Sequence, residues 1–322
     1  MSTYAQIRTG SSSGSGTGSG TGSGTGSGIE PPGARGLRGS LGRYPLTWFF
    51  SLAFGLSWVA WIPYILSGNG LGVLGFTFPG GDGGSQVLGV LPGAYLGPIL
   101  SAFLVTAAAE GRPGLRAWLG RMAKWRVDWR WYAGVLVAVP AVLTLTSAVL
   151  GGRGPVLPSA AVLVAFVPGL VLQMITTGLA EEPGWRDFAM PILQRRHGAL
   201  LGSLIVGPLW GVWHLPLFLS DWGGYPDVPW WQPVEFIGTT IAFSFVMTWV
   251  FNRTGQSLPL AMLLHVGVNN YFSIAWSDMF PELSSGYTTH AFLISSAVAA
   301  TVLLIATRGR LGYEPAPDAV RS

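Results

Sequence analysis

The chain has 322 residues, of which 49% are hydrophobic and only 10% are charged. Soluble globular domains have about 25% charged residues, so this chain lacks the polar surface to face water, and a lipid bilayer is its expected solvent. The net charge of +4 does not indicate a nucleic-acid partner, because the basic residues lie between apolar segments rather than on one face. The absence of cysteine excludes disulfides and thiolate chemistry.

The N-terminal region, residues 1–42, is of low complexity and contains a Gly-Ser-Thr repeat over residues 11–28. Such a segment cannot bury enough apolar surface to offset the entropy that is lost on ordering. We predict a disordered tail over residues 1–42, a transmembrane helical domain over 43–310 and a short cytoplasmic tail over 311–322.

Eight apolar stretches follow the tail, each with a length that suits a membrane-spanning helix. They cover residues 44–66, 87–109, 131–151, 160–181, 199–220, 234–251, 257–275 and 290–307. The predicted fold is therefore all-α: a polytopic membrane bundle of about eight transmembrane helices. Pro92 and Pro98 predict a kink in the second helix, and Pro208 and Pro216 interrupt the fifth.

The basic residues predict the orientation of this bundle. With eight spans, every lysine and arginine except Arg153 falls on the same side, including Arg186, Arg195 and Arg196 after the fourth helix. Basic residues mark the cytoplasmic side, so both termini are predicted to be cytoplasmic. The loop over residues 112–131 interleaves arginines with tryptophans, which is typical of a helix lying at the membrane interface.

Two adjacent acidic residues, Glu181 and Glu182, end the fourth predicted helix. A solvated helix end, with Glu182 paired to Arg186 one turn later, would account for them. However, a helix C-terminus disfavours negative charge, and ionisable groups in membrane segments are costly and usually functional. For these glutamates, a solvated helix end and a functional site are both open interpretations.

Three further polar residues lie within predicted spans. His214 is deep in the fifth, while His265 and Asn269 share one face of the seventh, one turn apart. Interhelical hydrogen bonding would explain each of them singly, and Gln173 and Asn270 suit that role better. Together, the glutamate, the two histidines and the asparagine form a hydrolytic set: a carboxylate takes a proton from water, a histidine relays it, and histidine and asparagine donate to an oxyanion.

Three short motifs in and beside these helices resemble those of the CAAX protease and bacteriocin-processing family, also called the Abi family. In order, they are an EExxxR motif at Glu181-Glu182-xxx-Arg186, a Trp210-xxx-His214 motif and a His265-xxx-Asn269 motif. The resemblance covers residues 160–275, about a third of the chain. One departure is Asp187, where many relatives have glycine, and it could alter how the following segment packs.

The resemblance implies an intramembrane endopeptidase in which Glu181 and His214 activate water while His265 and Asn269 stabilise the oxyanion. Glu182 and Arg186 would brace the site. No cofactor is favoured. Zinc held by Glu181, His214 and His265 is the alternative, because a His₂Glu set with one open position is a known zinc arrangement.

The linear helix assignment conflicts with a shared site. If the fourth helix ends at Glu181 and the fifth begins at Ala199, Glu181 and His214 differ in depth by about 22 Å. We therefore expect a helix break at Pro183-Gly184 within the membrane, or a later start of the fifth helix, with residues 185–193 as a partly embedded amphipathic connector.

The expected partners are the lipid bilayer and a membrane-associated protein or peptide, CAAX-like or bacteriocin-propeptide-like, cut at the cytoplasmic leaflet. The composition suggests a multi-pass protein of a bacterial cell membrane. Two other functions use the same residues: a non-catalytic immunity or scaffold protein, and a proton-coupled transporter with Glu181, His214 and His265 as a relay. The chain shows no internal repeat of the kind that transporters often contain.

Overall fold

A computed structural model describes residues 36–315, and in this part of the chain every regular element is helical. The elements are α1 Leu37–Arg43, α2 Pro45–Leu66, α3 Gly81–Ala94, α4 Leu100–Ala109, α5 Gly111–Met122, α6 Trp129–Gly151, α7 Ala160–Gln173, α8 Leu179–Gly184, α9 Met190–Trp213, α10 Trp231–Arg253, α11 Leu258–Asn270, α12 Trp276–Met279 and α13 Gly286–Thr307. Single π-helical turns join four successive pairs: Tyr95–Ile99, Met174–Gly178, Trp185–Ala189 and Tyr271–Ala275.

Seven helical segments in the described range are long and apolar enough to cross a membrane. Six of them coincide with six of the predicted stretches. The seventh, Ala160–Leu219, is 60 residues long and contains both the fourth and the fifth. The all-α, polytopic prediction is confirmed, whereas the orientation of the termini stays a prediction.

Apolar side chains on the outer faces support the membrane assignment. Val137 and Leu145 on α6, Val164 on α7 and Ile305 on α13 are each at least 66% exposed. A soluble protein rarely exposes so large an apolar surface, so these faces are expected to contact lipid.

The long segment reverses direction at Gly198, which has a left-handed φ of 80° that favours glycine. A Cβ on Gly202 would lie 3.4 Å from Gln194 N, and Arg186 Cζ lies 4.9 Å from the ring centre of Trp210. These contacts pair residues at equal distances before and after Gly198, so the two halves form an antiparallel helical hairpin.

The hairpin corrects the expected break at Pro183-Gly184. Pro183 lies inside α8, and residues 184–191 are helical and buried rather than forming a partly embedded amphipathic connector. Glu181 precedes Gly198 by 17 residues and His214 follows it by 16. Helices of these lengths rise about 25 Å and 24 Å, so the reversal brings the two side chains to the same level.

The predicted interfacial helix is α5, and it packs against this hairpin. Arg121 forms an ion pair with Asp187, and Trp118 Nε1 donates to the carbonyl oxygen of Pro183 at 3.1 Å. Trp118 is buried, so it does not face lipid headgroups as its position between arginines suggested. The carboxyl group of Asp187 is therefore used to hold α5 against the helix that carries Glu181.

The Arg121–Asp187 pair predicts an asymmetry between two substitutions. The Asp187 side chain is fully buried while that of Arg121 is 30% exposed. Arg121→Ala leaves a buried carboxylate without its partner, so we expect a loss of about 3 kcal/mol of stability. Asp187→Asn leaves an arginine that can turn to solvent, and its cost should be about 1 kcal/mol. Thermal unfolding in detergent measures both, and equal losses would contradict this account.

The predicted tails differ in how much of each can be compared with the structure. Residues 1–35 and 316–322 lie outside the described residues. Within the remainder, α1 begins at Leu37, inside the predicted N-terminal tail. Leu311, the first residue of the predicted C-terminal tail, is buried, and its carbonyl oxygen accepts a hydrogen bond from Asn252 Nδ2 at 3.1 Å.

Candidate active site

Small residues bring the helix of the EExxxR motif close to its neighbours. A Cβ on Gly184 would lie 2.6 Å from Pro98 Cβ, and one on Gly178 would lie 3.2 Å from Met262 Cβ. Glycines allow such close approach between membrane helices. As a result, Glu181 and Glu182 on α8 are buried inside the bundle, at 6% and 0% exposure.

Glu181 faces His214 across the hairpin. Its Oε2 accepts a hydrogen bond from Trp210 Nε1 at 2.8 Å and lies 3.9 Å from His214 Nε2. A separation of 3.9 Å is too long for a direct hydrogen bond, but a water molecule can contact both groups. The carboxylate is thus held by the indole on one side and open to water on the other.

The imidazole of His214 is held at the end of α9. Its Nδ1 lies 2.8 Å from the carbonyl oxygen of Trp210, and the ring lies between Trp213 and Trp222, the latter stacked at 5.4 Å. A carbonyl can only accept, so Nδ1 carries the proton, and Nε2 of the neutral ring is an acceptor. This acceptor is the His214 atom that lies 3.9 Å from Glu181 Oε2.

Glu182 connects the third motif to the first. Its Oε1 lies 2.8 Å from His265 Nδ1 and its Oε2 lies 3.2 Å from Arg186 Nε, whose guanidinium also donates to Ser244 Oγ at 3.1 Å. Asn269 Nδ2 lies 3.4 Å from His265 Nε2. A carboxylate shared by an arginine and a histidine fixes the position of the imidazole, and the amide of Asn269 lies beside its other nitrogen.

All four residues predicted to be catalytic line one cavity of about 1060 Å³: Glu181, His214, His265 and Asn269. Val87 and Leu88 on α3 and Leu172 on α7 also line it, and all three are at least 39% exposed on the outer surface. The cavity therefore opens sideways, where a membrane would be. It also reaches the α2–α3 connection and the residues after α9, at the end of the bundle opposite the basic loops.

Two of the sequence interpretations are corrected by the site. Arg186 was counted among the basic residues that mark the cytoplasmic side, but it is fully buried beside Glu182 and carries no topological information. Gln173 lines the cavity, whereas Asn270 makes the expected interhelical bond, donating from Nδ2 to the carbonyl oxygen of Phe166 at 3.0 Å. His290 pairs with Glu235 outside the cavity.

Sequence reasoning named Trp210 in the second motif but gave it no role. Its indole is the hydrogen-bond donor to Glu181, and its ring lies 5.1 Å from that of His265. The spacing of four from His214 was an available signal, since it places both side chains on one face of α9. Which helix this face would meet could not be read from the spacing.

The donor atoms of the site are not arranged as a zinc ion would require. Within residues 36–315, no three His, Asp or Glu side chains are arranged closely enough to hold a metal ion. Glu181 and His214 approach each other, but His265 is directed at Glu182 and Asn269. The described side chains as they stand do not form a three-ligand site.

The fold and this site define a class: a multi-pass helical membrane protein whose buried glutamates, histidines and asparagine meet at one laterally open cavity. Residues 163–271 match the family described as type II CAAX prenyl endopeptidase, Rce1-like. A CAAX prenyl protease 2 of Methanococcus maripaludis is similar, at 30% identity over 107 residues. The resemblance suggested by the three motifs is confirmed for this segment.

The matched segment is limited in extent. It covers 32% of this chain and 39% of the relative. The family match over residues 163–271 does not extend to α1 to α6 or to α12 and α13. The match includes every residue of the site, namely Glu181, Glu182, Arg186, His214, His265 and Asn269.

Proposed function

We propose that this protein is an intramembrane endopeptidase that hydrolyses a peptide bond of a membrane-associated substrate. The observation that carries this proposal is the meeting of Glu181, His214, His265 and Asn269 at one cavity, with a gap of 3.9 Å between the carboxylate and the first imidazole. The match to a protease family over the same residues supports it.

In this proposal, Glu181 and His214 activate the attacking water. The water donates one hydrogen bond to Glu181 and the other to Nε2 of His214, which accepts because Nδ1 is committed to the Trp210 carbonyl. As the water oxygen bonds to the peptide carbon, one proton passes to this pair. Positioned general bases of this kind contribute about 10²–10⁴ in rate.

His265 and Asn269 stabilise the negative charge on the former carbonyl oxygen. With a proton on each nitrogen, His265 is held by Glu182 through Nδ1 and donates through Nε2, beside the amide of Asn269. Arg186 keeps Glu182 in place. The proton then moves to the peptide nitrogen, the C–N bond breaks, and a carboxylic acid, which keeps the second proton of the water, and an amine leave.

The substrate class follows from the opening of the cavity. A lateral opening lined by exposed apolar residues admits a peptide that is anchored in the bilayer, such as a CAAX-like or a propeptide-like segment. Since the cavity also reaches the end opposite the basic loops, we place the cleaved bond toward that side, not at the cytoplasmic leaflet expected from sequence. The proposed location is a bacterial cell membrane.

A cleavage assay in liposomes tests this function. The full chain is incubated with prenylated and unmodified membrane peptides in heavy-oxygen water, and products are identified by mass spectrometry. We expect cleavage, with solvent oxygen in the new carboxylate, and a loss of about 10² or more in His214→Ala. The matched control is His197→Ala, because His197 is exposed and lies outside the cavity.

Two outcomes would decide against the proposal. If no membrane peptide is cleaved by the wild-type chain under any lipid condition, a non-catalytic scaffold or immunity function is favoured. If cleavage occurs but His214→Ala is as fast as His197→Ala, the hydrolytic assignment of this cavity is wrong.

A further inference from the structure

A second cavity, called the groove from here on, lies behind the active-site cavity, between α6, α10, α11 and α13. It has a volume of about 490 Å³, and its walls are almost entirely apolar side chains such as Val135, Val139, Leu143, Val246 and Leu264. Water has little to bind in such a space. An apolar ligand is therefore the expected occupant.

This groove is long enough to cross the hydrocarbon core of one leaflet of a bilayer. Its lining residues on α6 run from Arg130 at the helix start to Leu143, a rise of about 20 Å. Half of the hydrocarbon core is about 15 Å thick. Val142, which lines the groove, is 44% exposed on the outer surface, so the groove is open to lipid along its side.

The mouth of the groove carries a positive charge. Arg130 lines it, and no other described residue forms an ion pair with Arg130. Trp131 and Trp249 pack together beside it at 5.1 Å, and Trp129 is 71% exposed. Tryptophans and basic residues gather at the level of lipid headgroups, and basic pockets between membrane helices bind anionic ones.

We propose that this groove binds one acyl chain of an anionic phospholipid, with the phosphate at Arg130. The Gly-, Ser- and Thr-rich residues 1–35 are too polar to fill it. A substrate's lipid anchor would have to pass the wall that separates the two cavities, formed by Phe243 and Phe292, whose rings are 5.1 Å apart and line both. This site does not depend on the proposed protease activity.

Lipid binding by the delipidated full chain, measured by native mass spectrometry, tests the groove. The probes are phosphatidylglycerol and phosphatidylcholine with identical acyl chains. We expect Ala138→Phe, which places a ring in the groove, to weaken phosphatidylglycerol binding about tenfold or more, since excluding two methylenes has that effect. Ala141→Phe is the control, because Ala141 is exposed on the same helix but does not line the groove.

The charge at the mouth is tested separately. Arg130→Gln should weaken phosphatidylglycerol binding about fivefold, the equivalent of about 1 kcal/mol per basic residue. It should weaken phosphatidylcholine binding less, because the choline cation offsets the charge of that lipid's phosphate. Arg126→Gln is the matched control, since Arg126 is exposed and outside the groove. Because Arg130 is exposed, this variant decides the question even if Ala138→Phe does not fold.

The proposal is overturned if Ala138→Phe binds phosphatidylglycerol as tightly as the control Ala141→Phe and the wild type do. It is likewise overturned if Arg130→Gln weakens the binding of the two lipids equally. It is also overturned if a prenylated peptide binds in a manner that Ala138→Phe abolishes while neither phospholipid binds at all. That result would assign the groove to the substrate's anchor.

Discussion

Glu181→Gln is expected to lower kcat by about 10²–10⁴ while the protein stays folded. Glutamine keeps the size of the side chain, and its carbonyl oxygen can still accept the hydrogen bond that Trp210 Nε1 donates at 2.8 Å. It cannot take a proton from water. The liposome cleavage assay measures kcat, and thermal unfolding in detergent shows whether the fold is kept.

Two glutamate variants act as comparisons for this result. Glu235→Gln should keep wild-type turnover, since Glu235 pairs with His290 and does not line the cavity. Glu182→Gln should lose stability, on the order of 3–5 kcal/mol, because it leaves the fully buried Arg186 without its counter-charge. If Glu182→Gln loses turnover with stability unchanged and Glu181→Gln stays active, the base is Glu182.

The second large effect is expected for Asn269→Ala. It separates a direct mechanism, in which Glu181 and His214 activate water without a metal ion, from a zinc mechanism. Under the direct mechanism, Asn269→Ala should cost about 3 kcal/mol, or 10²–10³ in kcat, the usual scale for deleting an oxyanion donor. Chelators should leave turnover unchanged once access and time are controlled. We expect this pattern, because Asn269 lies beside His265 at 3.4 Å and both face the cavity.

Asn270→Ala is the matched control for this prediction. Asn270 bonds the carbonyl oxygen of Phe166 and does not line the cavity, so its loss should cost about 0.6 kcal/mol of stability and little turnover. Stoichiometric zinc in active protein, with activity lost and restored alongside the metal, would reverse the choice of mechanism. Glu181, His214 and His265 would then become ligands, and Asn269 an outer group that orients one of them.

The sequence by itself determined the helical class, the spans and the candidate residues. Long apolar runs specify membrane helices because unpaired backbone groups are too costly in lipid. Ionisable residues stand out within them because burying charge is costly. These are local properties, so Glu181, His214 and His265 could be selected without knowing which helices touch. The resemblance to a family then grouped these separate polar residues into three motifs and implied a role for each.

The tertiary structure decided which of these residues meet and at what depth. Pro183 suggested a helix end, but π-helical turns on both sides of α8 accommodate the proline, and the chain reverses only at Gly198. The partners of Glu182, Arg186 and Trp210 all depend on this reversal. The predicted fifth stretch already began at residue 199, directly after this glycine. The sequence did not show that the preceding helix continues past Pro183 to reach it, because that continuation depends on packing against distant segments.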